Sequence, residues 1–141
     1  MSTVFRVYLP ATLPALARLH VDGQVTIPQG YAAPPDPDDE ERSYQAYRRA
    51  ADASIRSLRA DPGAPPRRVV ISADVPAVPA GDGTVRLTGP VPRSAVAAIH
   101  VDGADAEPAV AAAVAGEPAG AEADEHELEW YDVSELPGLV G

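Results

Sequence analysis

The densest run of β-branched residues lies at Val69-Val70-Ile71, inside Arg67 to Asp74, and its apolar residues are consecutive. A strand with both faces apolar is covered on both sides, so this stretch predicts the central strand of a sheet. Val4 to Leu9 alternates instead, with Phe5, Val7 and Leu9 on one face and Arg6 and Tyr8 on the other, as a half-buried strand does. Pro10 is expected to end it. Val25 to Ile27, Val85 to Leu87, Ile99 to Val101 and His126 to Tyr131 read as further short strands, and residues 28 to 35 as a loop. In the last strand Leu128 and Trp130 share one face, and the tryptophan predicts a docked tail.

Helical spacing appears in three places. Thr12 is an N-cap for a stripe of Leu13, Leu16, Ala17 and Leu19 that stops at Gly23. Asp36, with Pro37 in the first helical position, opens a long helix carrying Tyr44, Tyr47, Ala51, Ile55 and Leu58 on one face, broken by Asp61-Pro62-Gly63. Asp105 caps a third helix over residues 106 to 115, made almost wholly of alanine and valine and expected against the sheet. Pro92 to Ala98 reads as a short helix. Asp132-Val133-Ser134-Glu135 has the form of a capping box for one turn ending at Pro137. The Gly, Pro, Ala and Glu stretch within 116–125 has nothing to bury and reads as a mobile loop.

Composition narrows this picture. A chain of 141 residues makes one domain, residues 1–141. The 45% hydrophobic content leans on alanine, so the core is thin. With no long apolar run and no basic-then-apolar leader, neither a membrane span nor a signal peptide is expected, and the reading is cytoplasmic. All 11 basic residues are arginine, a GC-rich coding signature. The net charge of −10 is lopsided: before position 94 there are 11 arginines against 10 carboxylates, and from there on 11 carboxylates and no arginine. That sign argues against a nucleic-acid partner. Arg42, Arg48, Arg49, Arg67 and Arg68 offer the acidic third partners within the chain.

The chemistry on offer is sparse. There is no phosphate-cradling glycine loop, dinucleotide fingerprint, nucleophile elbow or helical His pair, so no cofactor and no metal is expected. His100 and Asp102, two apart on one strand face, with His126 from another strand, would make a general-base or metal cluster if the strands were neighbours. The competing reading makes His100 and Asp102 a strand's wet face. Glu127 and Glu129 share a face without any feature to split their pKa values. The acids of residues 36–41 complement a helix dipole. Pro76-Ala77-Val78-Pro79 matches PxxP, which means little among 16 prolines. Residues 6–23 align with 86–103, ending in His-Val-Asp-Gly in both, which reflects either duplication or chance in a narrow composition.

Four segments carry a resemblance: Arg6 to Leu13, Arg68 to Pro76, Gly89 to Asp102 and His126 to Tyr131. Together they resemble a family of small, acidic actinobacterial proteins of unknown function, over nearly the whole chain. Trp130-Tyr131 with Ser134 to Pro137 is similar to the tail of Nudix hydrolases, but the Glu-rich metal box of those enzymes is missing.

The expected fold is a single α/β (α+β) domain: a mixed sheet of about five or six strands, residues 68–74 central, with helices packed on it. The alternative is a ferredoxin-like βαββαβ arrangement with insertions. The first functional reading is a non-catalytic protein-interaction or regulatory module meeting a protein partner around Arg6 and Tyr8 or on the acidic third, without nucleic acid or membrane. The second is a small hydrolase or metal-assisted enzyme using His100, Asp102 and His126.

Overall fold

A computed structural model describes residues 3–34, 36 and 38–140. Its longest strand, β4 (Val69–Gly81), contains the expected central segment, and Val69, Val70 and Ile71 are fully buried. The sheet has six strands in the order β1 (Thr3–Ala11), β3 (Gln29–Ala32), β5 (Thr84–Leu87), β4, β7 (Val96–Val101) and β8 (Glu129–Tyr131). β1 also pairs directly with β4, so the pairings among β1, β3, β5 and β4 close into a ring. β7 and β8 extend the sheet from the other edge of β4's first half. A small second sheet joins β2 (Gln24–Val25) to β6 (Val91–Pro92).

The fold class is the expected one, helices packed on a sheet in a single domain, but each described pairing is antiparallel where a mixed sheet was expected. β4 and β5 form a hairpin, and β7 and β8, although joined across residues 102–128, also pair antiparallel, so no described pairing is a parallel crossover. The ferredoxin-like alternative does not hold, because β4 is shared between a closed ring and an open extension. β3 lies where a loop was expected. Its Gly30 hides the strand signal, yet a Cβ there would meet Val7 Cγ1 at 2.6 Å and Tyr8 O at 2.7 Å, so only glycine lets β3 lie against β1. β1 runs one residue past Pro10, since β3 pairs only with Val7 and Tyr8 and leaves that edge free.

Alternation sends Val7 and Leu9 of β1, and Ile71, Ala73 and Val75 of β4, into the main core. There they meet Leu16 and Leu19 of α1 (Leu13–Asp22) and Leu136 of α4 (Leu136–Val140). Thr12 caps α1 and Gly23 ends it at φ 75°, as its sequence requires. α4 passes through Pro137 instead of stopping there, because Pro137 sits in its first turn, where no intrahelical donor is needed. The capping box that precedes it is present: Asp132 accepts from Ser134 N, and Glu135 from Asp132 N.

The opposite sheet face carries α2 (Glu40–Ala60), capped by Asp39. Pro37 lies outside the described residues, and Asp36 receives the Asp38 N–H ahead of the helix. α3 (Glu107–Ala115) packs against the end of α2, through Leu58, Ala109 and Val110, rather than on the sheet. The stretch read as a mobile loop, 116–125, does have something to bury. Pro118–Glu125 forms a 3₁₀ helix whose Gly120 and Ala123 are buried against α3. Residues 92–98 give one 3₁₀ turn, Arg93–Ala95, and then β7.

The alignment of residues 6–23 with 86–103 is not a structural duplication. The first stretch is a strand and a helix, whereas the second is β5, β6, a 3₁₀ turn and β7. Repeated use of Ala, Val, Pro and Arg accounts for the match. PxxP likewise belongs to β4, with Pro76 opposite Val4 and Pro79 opposite Val85.

Candidate functional site

α2 approaches the sheet unevenly, and its own sequence is the reason. In its second half the face toward the sheet is built of Ala50, Ala51 and Ser54, all buried, small enough to bring helix and strands close. Ser54 Oγ donates to the Ala11 carbonyl at 2.7 Å and accepts the Val69 N–H at 3.1 Å, tying the helix to the edges of β1 and β4. One and two turns earlier the corresponding positions carry Tyr47 and Tyr44. Tyr47 is buried, its hydroxyl accepting the Leu128 N–H at 3.2 Å, and Tyr44 is about half exposed. A groove of roughly 610 Å³ opens there between α2 and the strands.

Strand alternation decides what lines it. Arg6 and Tyr8 of β1, Ser72 of β4, Ala98 and His100 of β7 and Trp130 of β8 project from the same face of the sheet. They form the floor and one wall, with Leu128 and Glu127 beside Trp130, and Glu40, Ser43, Tyr44 and Tyr47 opposite. The aromatic rings make a connected set. Tyr47 meets Tyr8 edge-on at 6.5 Å, Tyr44 at 5.7 Å and the His100 imidazole at 5.3 Å. Trp130, expected to dock the tail, is 61% exposed because β8 is the sheet's outer strand and nothing described covers it. The tail docks through Leu136 instead.

Arg6 and Tyr8 therefore occupy the groove, although Arg6 is already engaged. Its Nε and Nη2 donate to Asp74 of β4 at 2.7 and 3.0 Å. These bonds hold the Asp74 carboxyl below its ordinary range and Arg6 above its own. Tyr44 donates its hydroxyl proton to Glu127 at 2.8 Å, which raises the phenol's pKa.

His100, Asp102 and His126 do not converge. His100 faces the groove, 3.3 Å from Ser72 Oγ, and burial lowers its pKa so that the neutral imidazole is favoured. Asp102, expected on a wet strand face, is fully buried because β7 ends at Val101 and the next residue turns onto Arg68. Arg68 Nε and Nη2 donate to the two Asp102 oxygens at 2.8 and 2.9 Å, and Nη2 also donates to the Ala123 and His126 carbonyls. Burial works against the Arg68 charge, but the bonds and charge of Asp102 outweigh it, so its pKa stands above the ordinary value. The His126 ring faces a different carboxylate, with Nδ1 3.9 Å from Asp105. Among the described residues the imidazole of His100 has no carboxylate partner, and no group of three metal-ligating side chains forms.

Glu127 and Glu129 are not a carboxylate pair either: one holds Tyr44 and the other accepts from the Tyr131 hydroxyl at 2.7 Å. The arginine-rich half does neutralise part of the acidic third, through Arg68–Asp102 and Arg48–Asp124 at 3.0 Å.

Of the residues that make the groove, Tyr44 and Tyr47 are visible in the sequence as part of a helical stripe and Leu128 and Trp130 as one face of a strand, but sequence does not show that β8 is an edge and that the two faces meet around an opening. Among the described residues no helix is long and apolar enough to cross a membrane. Comparison with curated proteins and with solved structures finds no match. A family model spans nearly all of the sequence, residues 5–140, and the chain belongs to that family, DUF6912, a family of unknown function.

Proposed function

We propose that this protein is a non-catalytic, cytoplasmic interaction module that receives a protein partner in the groove between α2 and β8. The GC-rich coding signature and the resemblance in sequence support an actinobacterial host. The observation that carries the reading is Trp130, 61% exposed at the rim of a groove whose lining includes the rings of Tyr8, Tyr44, Tyr47 and His100. Leaving a large indole in water forgoes on the order of 2 kcal/mol of burial that a bound partner would recover. Tryptophan and tyrosine are also the residues on which binding energy concentrates at interfaces. The different partners of His100, Asp102 and His126, which are Ser72, Arg68 and Asp105, favour the binding reading over the hydrolase or metal-assisted alternative.

The test is photo-crosslinking in the host from an unnatural residue at position 44, with position 21 on α1 as control, since Val21 is 80% exposed on another surface. Discrete adducts from position 44 that vanish on Trp130→Ser are expected. Identical adducts from both positions, or none from position 44, would overturn the proposal.

A further inference from the structure

The groove's charges and its open edge point to a narrower class of partner. The following inference rests on the groove being a binding site and states what it recognises.

The cationic groups at the groove are already spent. Arg6 is neutralised by two bonds to Asp74, and Arg48, on the same helix as Tyr44, pairs with Asp124. His100 is favoured in its neutral form by burial. Glu40 and Glu127 remain as carboxylates on the lining, and Glu127 is bonded only to an uncharged phenol among the described residues. The groove therefore combines aromatic faces with net negative charge, the combination that attracts a cation by its charge and by the ring quadrupole together. The chain already uses that contact internally, with Arg49 stacked 4.5 Å above the Tyr31 ring. Beyond residue 93 the sequence has 11 carboxylates and no arginine, and although Asp102 and Asp124 are paired with arginines from the first part, β8 belongs to a segment of net negative charge.

The shape of the partner follows from β8. It is the outermost strand of the sheet, and Trp130 stands on it facing the groove. An edge strand presents unpaired backbone groups to which an extended segment adds as a further strand, and side chains of such a segment alternate toward the groove. We infer that the groove takes an extended segment of another protein, pairing along β8 and placing an arginine or lysine side chain among Tyr44, Trp130, Glu40 and Glu127.

The experiment is selection of short random peptides displayed against the full chain, followed by titration of selected peptides. Because Trp130 is the chain's only tryptophan, its fluorescence reports occupancy of this groove directly. Selected peptides are expected to carry Arg or Lys at one fixed position. Their affinity should fall about tenfold or more on combined Glu40→Gln and Glu127→Gln, the scale of one lost charge contact. Followed by the anisotropy of a dye-labelled peptide, since Trp130→Ser removes the intrinsic fluorophore, binding should be abolished by Trp130→Ser and unchanged by Glu117→Gln with Glu122→Gln, which removes the same amount of charge outside the groove. Trp130 is exposed and the glutamine retains an acceptor for Tyr44, so these variants leave the fold in place.

Peptides that depend on Trp130 but show no basic position would overturn this inference and leave the groove as a binding site. Basic peptides insensitive to Trp130→Ser would overturn both. Failure to select any peptide, or equal loss from the two pairs of Glu→Gln changes, would overturn the inference as well.

Discussion

Replacing Asp102 by alanine tests whether that carboxylate belongs to the architecture or to chemistry. Asp102 and Arg68 are 0% and 1% exposed in their side chains, and the pair is bidentate, with a third bond from the Arg68 N–H to Asp102 Oδ2 at 2.8 Å. The substitution leaves a guanidinium in a fully buried space with its charge unpaired. Breaking one side of a buried pair in this way costs about 3–5 kcal/mol. A domain of this size has about 5–15 kcal/mol in total, so Asp102→Ala should remove a large fraction of the stability. Removing both charges abolishes the unpaired-charge penalty but not the cost of the backbone groups that the pair satisfies. In Arg68→Met with Asp102→Leu the Ala123 and His126 carbonyls lose their donor and the Arg68 backbone N–H its acceptor, about 1–3 kcal/mol for each group left unsatisfied. Urea unfolding of the four proteins in the cycle gives the coupling directly. If Asp102→Ala shifts the free energy by less than about 1 kcal/mol, the pair is not the buried tie described, and Asp102 is again open to a functional role.

Other parts of the structure make separate demands. Burial lowers the His100 pKa from 6.5, so the unfolded chain binds the proton first. Stability should then be full above 6.5, fall as pH drops toward the folded pKa and level off below it, with the imidazole NMR titration lying on the acid side of 6.5. For Asp74, whose folded pKa is lowered by Arg6, the contribution is present above the unfolded carboxylate pKa and lost as pH falls through the folded one. Both side chains are about half exposed, so Arg6→Ala should change stability by no more than about 1 kcal/mol in urea. Gly30→Ala puts a methyl within 2.7 Å of Leu9 Cδ2 and against β1 backbone, and should cost about 1–3 kcal/mol by the same assay. Gly120→Ala drives a methyl into the backbone of Ala113, and limited proteolysis should show faster cleavage within 116–125 than in the wild-type chain.

Elements whose signal is local were legible in the sequence. The caps of α1, the capping box at Asp132 and the doubly covered β4 depend on residues a few positions apart, and the structure carries all of them. What failed depends on distant neighbours. Gly30 weakens β3 as a strand in isolation, and the reason for a glycine there is the side chains of β1. Asp102 looks like a wet residue on an alternating strand until Arg68, 34 positions earlier, is placed against it. Trp130, as the one tryptophan, predicts a docked tail, yet its exposure follows from β8 being last in the sheet order, which composition does not encode. The 3₁₀ helix at Pro118–Glu125 has few apolar side chains. It is held by a glycine fitted against α3 and by an arginine reaching its carbonyl, neither of which leaves a hydrophobic pattern.

The groove is a consequence of how α2 divides its residues. A helix lying on a sheet approaches as closely as its facing side chains allow, and interaxial spacing follows their size. Ala50, Ala51 and Ser54 permit near-backbone contact, and Ser54 fixes it with two hydrogen bonds to separate strands. Tyr47 and Tyr44 stand on the same side one and two turns earlier, where two rings occupy the space that alanines leave to the sheet. Tyr47 is locked by Leu128 and by contact with Tyr8 and His100, so the opening is held by packing and does not depend on a ligand to form. The pinned half of the helix supplies stability, and the wedged half gives up burial of Tyr44 and Trp130 to keep a surface open. Filling the groove by bringing the helix down would need small residues at 44 and 47, which would also remove the aromatic faces on which the proposed binding rests.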